Sequence, residues 1–146
     1  MSLLELKENQ EIIIDKVKYE VLNMIKFIEK SSYWVEYKLK NIEDENFYYL
    51  EISLDSKAVL YEMIKNEKID LKMIVNFQGE EYELYEKGTE KVETYYGMTD
   101  VYLKEEADYY EYVNKKNKKI FLSVEKWKNV TEISRGRKIN LSDIKY

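Results

Sequence analysis

The sequence predicts an all-β protein: an antiparallel barrel or sandwich with at most short helices at its termini. Two runs in which apolar and polar residues alternate, 33–40 and 47–54, flank the polar segment 41–46. This pattern is typical of an antiparallel hairpin with one buried face. The 146 residues include 15 Tyr, 4 Phe and 2 Trp, a composition that favours pleated sheet over helix. Roughly ten to twelve short strands at this spacing indicate a barrel or sandwich.

Residues 108–125 resemble this first hairpin, with Val35 corresponding to Tyr110. The apolar residues of both hairpins keep the same register, and a slip of one residue would exchange the two faces of a strand. The agreement indicates an internal duplication, although two aromatic hairpins can also look alike without a common origin. We therefore predict a single domain over residues 1–146, built from repeat-like halves at about 11–66 and 67–146.

The other elements are assigned from the same alternation. Residues 58–64 fit a strand or a short helix, and we predict a strand because the surrounding segments alternate. The two-residue turn Asp15-Lys16 lacks the glycine that such hairpin turns usually contain. In chain order, the predicted elements are a helical turn within 1–10, strands at 12–14, 17–27, 69–77, 80–85, 92–96 and 101–103, a hairpin within 109–126, a strand at 127–134, a turn at 135–137 and a last apolar set at 139–144.

The chain contains neither Cys nor His. Disulfides, thiolate metal sites and Ser-His or Cys-His catalytic devices are therefore excluded, and the usual general base at neutral pH is missing. The N-terminal residues lack the basic and long apolar regions of a signal peptide, and no apolar run reaches membrane-spanning length. We expect a cytoplasmic protein without membrane insertion.

The net charge of −5 is unevenly distributed. Residues 1–113 carry 14 Lys against 26 acidic residues, whereas residues 114–138 carry 9 basic against 2 acidic residues. The basic segments 115–119 and 135–138 could face nucleic acid or another anion. We expect no nucleic-acid binding, because the acidic remainder repels phosphate at long range, and we interpret the lysines as a solvated turn and charged strand ends.

The outward face of the two hairpins carries the candidate binding residues. Carboxylates and aromatic ring faces both attract ammonium groups, so this face suits a polyamine-like cation or a Lys/Arg-rich protein partner. The alternative is that other strands cover the face and that its rings are ordinary cross-strand pairs. Alongside Phe47 and Ser123, the candidates are Trp34, Glu36, Tyr49, Glu51, Tyr109, Glu111, Phe121 and Glu125.

The favoured function is a non-enzymatic binding or scaffold module, for which an exposed edge strand offers a second way to engage a protein. The alternative is a carboxylate-dependent hydrolase-like enzyme that uses Glu36, Glu111 or Glu125. A concave pocket holding two of these carboxylates with raised pKa values would favour the enzyme, and a flat or filled face would favour the module. We assign no catalytic residue, metal or cofactor, since the acidic turn 43–45 lacks the spacing of a calcium loop.

Three segments in succession carry a family resemblance. They are Trp34–Leu39, then Ile74–Leu84 followed by Gly88 and Gly97, then Asp108-Tyr109 followed by Leu122–Glu125, Glu132, Ser134 and Gly136. In order and spacing the chain resembles the bacterial domain of unknown function 4178 family, from about Ile12 to Ile144.

Two positions depart from the family pattern. Gly97-Met98 stands where the family has Gly-Glu, and Lys16 replaces a glycine in the first turn. The resemblance implies one compact domain with no established activity. It also implies an accessory role, since members are often encoded beside polyamine-synthesis-like and small membrane proteins.

Overall fold

A computed structural model describes residues 2–55, 57–65 and 67–146, and these residues contain one antiparallel sheet of eleven strands. Two short 3₁₀ helices, Leu3–Glu5 and Leu141–Asp143, are the helical segments of the described chain. The prediction of an all-β fold with short helices near the termini is confirmed. The strands are β1 (Glu11–Ile14), β2 (Val17–Glu29), β3 (Ser32–Asn41), β4 (Phe47–Ser53), β5 (Ala58–Ile64), β6 (Ile74–Phe77), β7 (Glu80–Gly97), β8 (Glu106–Asn114), β9 (Ile120–Lys126), β10 (Thr131–Ile139) and β11 (Ile144–Lys145).

Eight of the described strands close into a barrel in the order β2-β3-β4-β5-β10-β9-β8-β7, with β7 pairing back onto β2. The strands β2 and β7 are long, 13 and 18 residues, and each pairs with three other strands. The first part of each pairs with β1 or β6, and the last part closes the barrel. Register shifts at Val21/Asn23 and Leu84/Glu86 mark bulges, which bend the strands and tighten their twist.

Two apolar clusters cover the outer face of this barrel. In the first, Val35 and Leu50 lie under β1, β11 and the N-terminal segment, and the Tyr37 hydroxyl donates a hydrogen bond of 2.7 Å to the Leu3 carbonyl. In the second, Tyr112 lies under β6 and the segment before it. The strands outside the barrel therefore bury apolar surface that would otherwise face water.

Both covering hairpins turn through two residues in the left-handed region. Asp15 and Lys16 have φ values of 48° and 71°, and Gln78 and Gly79 have 51° and 81°. Positive φ at both central positions matches the right-handed twist of paired strands. The turn predicted at Asp15-Lys16 therefore forms although it contains no glycine.

Several predicted element boundaries are wrong. The segment 69–77 contributes only β6, because Ile69 and Leu71 pack on the second outer cluster outside any strand. Residues 80–97 form one strand rather than two. Residues 101–103 lie in the β7–β8 connection, where the Lys104 and Glu105 backbones bond to Val92 of β7.

The turn predicted at 135–137 is also wrong, since these residues lie inside β10. Gly136 sits opposite Tyr61 of β5 and Phe121 of β9. A Cβ atom added at Gly136 would lie 2.6 Å from the Tyr61 ring. The glycine is needed for close packing against a ring rather than for a turn.

The first five strands and the next five follow the same order: a short outer strand, a long strand, and then a three-stranded meander. The two hairpins also share a register, since Val35 pairs with Ile52 and Tyr110 pairs with Val124. This is the arrangement that a duplication would produce. A common origin of the two halves stays a prediction.

Candidate functional site

The aromatic and acidic face of the two hairpins lines the interior of the barrel, so the expectation of an outward face needs correction. Contacts across the barrel identify the interior. The Tyr61 hydroxyl of β5 donates to Glu111 of β8 at 3.3 Å, and the rings of Trp34 (β3) and Tyr109 (β8) meet edge to face with centres 5.9 Å apart. Closure of the sheet leaves this face no route to solvent except through the two ends of the barrel.

Cross-strand pairing sets the interior carboxyl groups beside one another. Glu36 of β3 lies opposite Glu51 of β4, and Glu111 of β8 lies opposite Ser123 of β9. Glu125 of β9 lies opposite Glu132 of β10. Because side chains alternate along a strand, every second residue of these strands points into the same space.

Two cavities of about 360 and 460 Å³ occupy the interior, and Glu36 and Glu125 line both of them. The two cavities therefore meet at these carboxyl groups. Asp55, in the turn after β4, lines the first cavity, whereas Phe47, at the start of β4, lines the second. The cavities consequently extend toward opposite ends of the barrel.

The structure brings all eight candidate residues into the barrel interior. Phe121 packs with Val59 and Tyr61 in an interior cluster, and its ring centre lies 6.0 Å from that of Tyr85. The other seven line the cavities directly: Trp34, Glu36, Glu51, Tyr109, Glu111 and Glu125 line the first, and Tyr49, together with Glu36 and Glu125, lines the second.

Two further carboxyl groups line the interior but were not predicted from the sequence: those of Glu90 in β7 and Glu132 in β10. The bulge at Leu84/Glu86 breaks the alternation along β7, so the direction of Glu90 cannot be read from spacing. Glu132 could have been found only from its pairing with Glu125, which requires knowing the register of β9 and β10.

Hydrogen bonds hold several carboxyl groups in place. Glu111 accepts one from Ser123 Oγ at 2.9 Å and one from the Tyr61 hydroxyl at 3.3 Å. Glu29, which lines the first cavity, accepts one from the Tyr109 hydroxyl at 2.5 Å. These donors are neutral, so they orient the carboxylates without cancelling their charge.

Glu90 is 3% exposed, and its Oε1 atom has no hydrogen-bond partner among the described residues. Burial raises the pKa of Glu90, and the neighbouring Glu125 raises it further through its charge and a hydrogen bond between the two carboxyl groups. That hydrogen bond needs a proton, since two carboxylates have no donor between them. When Glu90 is ionised, that hydrogen bond is lost and the charge of Glu90 stays buried in the interior of the barrel.

The same causes act on the other interior carboxyl groups. Burial raises the pKa of Glu36 well above its usual range, and the charges of Glu125 and Glu51 add to the effect. Burial, followed by the charge of Glu125, raises the pKa values of Glu51 and Glu132 to about 7. The pKa of Glu111 is raised by burial although its hydrogen bonds oppose the shift. Near neutral pH the interior therefore holds protonated and ionised carboxyl groups together.

The described residues that line the two cavities include two basic side chains, one toward each end. The Lys57 ammonium lies 4.4 Å from the centre of the Phe121 ring, and the Lys38 ammonium lies 4.6 Å from that of Phe47. Both lysines contact aromatic faces, which is a favourable position for a cation. Two ammonium groups cannot balance the carboxyl groups between them.

The basic segments lie on the outer surface. Residues 115–119 are exposed between β8 and β9. Arg135 and Arg137 pair with Glu80 and Asp15 at 3.4 and 2.7 Å, and such exposed pairs contribute little to stability. In the part of the chain that the structure describes, no group of three or more acidic side chains is arranged to hold a metal ion.

Comparison with known proteins gives one match. The model of the family described as Domain of unknown function (DUF4178) matches residues 7–141. No curated protein and no solved structure matches the chain. Neither helix in the described ranges is long and apolar enough to cross a membrane. The match covers nearly the whole sequence and agrees with the resemblance found above, and the chain belongs to the DUF4178 family.

Proposed function

We propose that the barrel interior binds a small organic cation, recognised by enclosed carboxyl groups and aromatic rings. The observation that carries this proposal is the excess of enclosed acid over enclosed base. Among the described residues, two lysines lie toward the ends of cavities lined by six interior carboxyl groups: Glu36, Glu51, Glu90, Glu111, Glu125 and Glu132.

Unpaired ionised groups are unfavourable inside a protein, because they lose their hydration without gaining an opposite charge. Glu36, Glu125 and Glu51 also repel one another. A cation that enters the interior supplies the missing charge and hydrogen-bond donors for groups such as Glu90. The enclosed acid is therefore better satisfied when a cation is present than when the interior is empty.

The aromatic rings offer a second kind of contact. The rings of Trp34 and Tyr109 meet edge to face beside the carboxyl groups of the first cavity. The rings of Phe27 and Trp127, with centres 6.2 Å apart, line the second cavity. Ring faces attract ammonium and guanidinium groups, most strongly where water is excluded. Lys57 already makes such a contact with Phe121.

Cavities of this size accommodate small molecules rather than a folded partner. A polyamine-like amine fits the chemistry of the lining, since its ammonium groups would meet carboxylates and its methylene groups would meet rings. A Lys or Arg side chain of a protein partner, inserted through one end of the barrel, has the same chemistry at its tip. We take the free amine as the ligand.

The test is isothermal titration calorimetry at pH 8 with 1,4-diaminobutane, arginine amide and the neutral analogue 1,4-butanediol. We expect an amine to bind and the diol not to bind. The double substitution Glu36→Gln/Glu125→Gln should weaken binding at least about tenfold, because each removes a charge paired with the ligand. Glu43→Gln, in the exposed β3–β4 turn, is the matched control and should change nothing.

Trp34→Leu keeps the carboxyl groups and removes a ring, so it should weaken amine binding severalfold. The charge and the ring are thereby tested separately. Equal binding of the diol, or undiminished amine binding by the folded Glu36/Glu125 variant, would contradict the proposal.

The structure also supports the second candidate, a carboxylate-dependent hydrolase-like enzyme. A concave pocket holds Glu36 and Glu111 with raised pKa values, which is the condition stated above for the enzyme. Binding remains the better account, because acid–base pairs need pKa values that are pushed apart and burial raises both of these. Turnover of chromogenic glycosides that is lost in Glu36→Gln would favour the enzyme.

A further inference from the structure

We propose that the barrel interior exchanges protons for its cation: each cation that enters displaces protons from the enclosed carboxyl groups. The inference rests on the proposed function and adds how that site responds to pH. It predicts that the same barrel holds its ligand tightly in alkaline solution and releases it in acid.

The geometry requires some neutralising partner when no cation is present. The barrel encloses its carboxyl groups on all sides except the two ends, and the described lysines at those ends lie on the rings of Phe47 and Phe121. Protons are the remaining source of positive charge. A proton on Glu90 removes its buried charge and lets its carboxyl group donate to Glu125, and Glu90 Oε1 has no hydrogen-bond partner among the described residues.

Among the described residues, the charged or titratable side chains that line the two cavities belong to three groups. The enclosed carboxyl groups are the six named above. The phenols are those of Tyr33, Tyr49, Tyr61, Tyr85 and Tyr109. Burial raises the pKa of Tyr49 to about 12 and raises the pKa of Tyr61 well above its usual value, so these two phenols act as hydrogen-bond donors. Toward the ends lie the acids Glu8, Glu29, Asp55, Glu86 and Asp100 and the bases Lys38 and Lys57.

The exchange balances in atoms and charge. An ammonium group enters with all its protons, an O–H bond of one carboxylic acid breaks, and that proton leaves to water. The hydrogen bond between a carboxyl and a carboxylate is replaced by ammonium–carboxylate hydrogen bonds. Each cation charge that replaces one proton leaves the net charge of the interior unchanged, so no second ion has to follow.

The experiment measures proton release directly. Titration of 1,4-diaminobutane into the protein at pH 6.5, in phosphate and in ACES, two buffers that both titrate near this pH but differ in ionisation heat, gives different heats when protons pass to the buffer, and the difference counts them. We expect at least one proton per bound diamine. The dissociation constant should fall about tenfold per pH unit for each proton released, between pH 5.5 and about 7.

Glu51→Gln removes one exchangeable proton and should lower both the count and the slope, whereas Glu43→Gln should leave both as they are. Diamine binding with equal heats in the two buffers and a pH-independent dissociation constant would overturn the exchange and leave the cation site intact. Absence of binding at every pH from 5.5 to 9 would remove the proposed function and the exchange with it.

Discussion

At the scale of single residues, some backbone positions lie so close to the large interior rings that they have no room for a side chain. Gly136 is the clearest case. Its backbone passes the Tyr61 ring so closely that a Cβ atom would lie 2.6 Å from two ring carbons and 2.8 Å from the nearest atom of Val59. Tyr61 in turn donates to Glu111, so this contact supports the side of the cavity where the carboxyl groups lie.

Gly136→Ala is therefore expected to lower the free energy of unfolding by roughly 1–3 kcal/mol, the usual result of overpacking a core. Urea denaturation followed by tryptophan fluorescence measures it. Gly79→Asn is the control, because Gly79 has open space around it and Asn tolerates its positive φ. Equal stability of Gly136→Ala and the wild-type protein would show that Tyr61 moves freely.

At the scale of elements, the two hairpin turns outside the barrel differ in chemistry while sharing a conformation. Gln78-Gly79 has a glycine at its second position, whereas Lys16 adopts φ 71° with a full side chain. A left-handed conformation is unfavourable for such a residue by roughly 1–2 kcal/mol. The β1–β2 hairpin therefore forms despite its turn, supported by the buried Ile12 and Ile14 on the first outer cluster.

Lys16→Gly should raise the free energy of unfolding, by up to about 1 kcal/mol, because it relieves the left-handed strain. Thermal and urea unfolding would both show it. Lys18→Gly, two residues later within β2, removes the same kind of side chain from a strand and should destabilise by a similar amount. A destabilised Lys16→Gly variant would mean that the Lys16 side chain makes a contact worth more than the strain.

At the scale of the whole molecule, the enclosed acid links stability to pH. A carboxyl group whose pKa is raised in the folded protein stays protonated at a pH where the same group in the unfolded chain is already ionised. The free energy of unfolding therefore falls as pH rises. The stability that such a group contributes is fully present below its unfolded pKa. It is lost progressively as pH rises from there to the folded pKa of about 7 for Glu51 and Glu132.

Without an added cation, the protein should be more stable at pH 5 than at pH 8. The loss should be on the order of 3 kcal/mol for Glu51 alone, from a shift between 4.5 and about 7. Urea midpoints at several pH values measure the slope. Glu51→Gln should flatten it, and a midpoint that rises from pH 5 to pH 8 would contradict the enclosed-acid account.

The alternation of apolar and polar residues predicted most strands and the face on which each of their side chains lies. Alternation with a period of two placed Val35 on one face of β3 and Glu36 on the other, and the same rule applied to β8 and β9. It failed where the chain breaks the period. The direction of Glu90 could not be predicted because of the bulge in β7. The segment 101–103 alternates but does not pair as a strand. Gly136 was interpreted as a turn residue because Tyr61, the ring that it packs against, is 75 positions away in the sequence.

The sequence by itself determined which residues share a face, because side-chain direction along a strand depends only on neighbours in the chain. Only the tertiary structure decided which face is enclosed. That choice depends on the pairing of β2 with β7 and of β5 with β10, which joins residues such as Ile28 and Lys91 that lie far apart in sequence. Closure turned a polar face into an interior, because water reaches the inner side of the closed eight-stranded barrel only through its two ends.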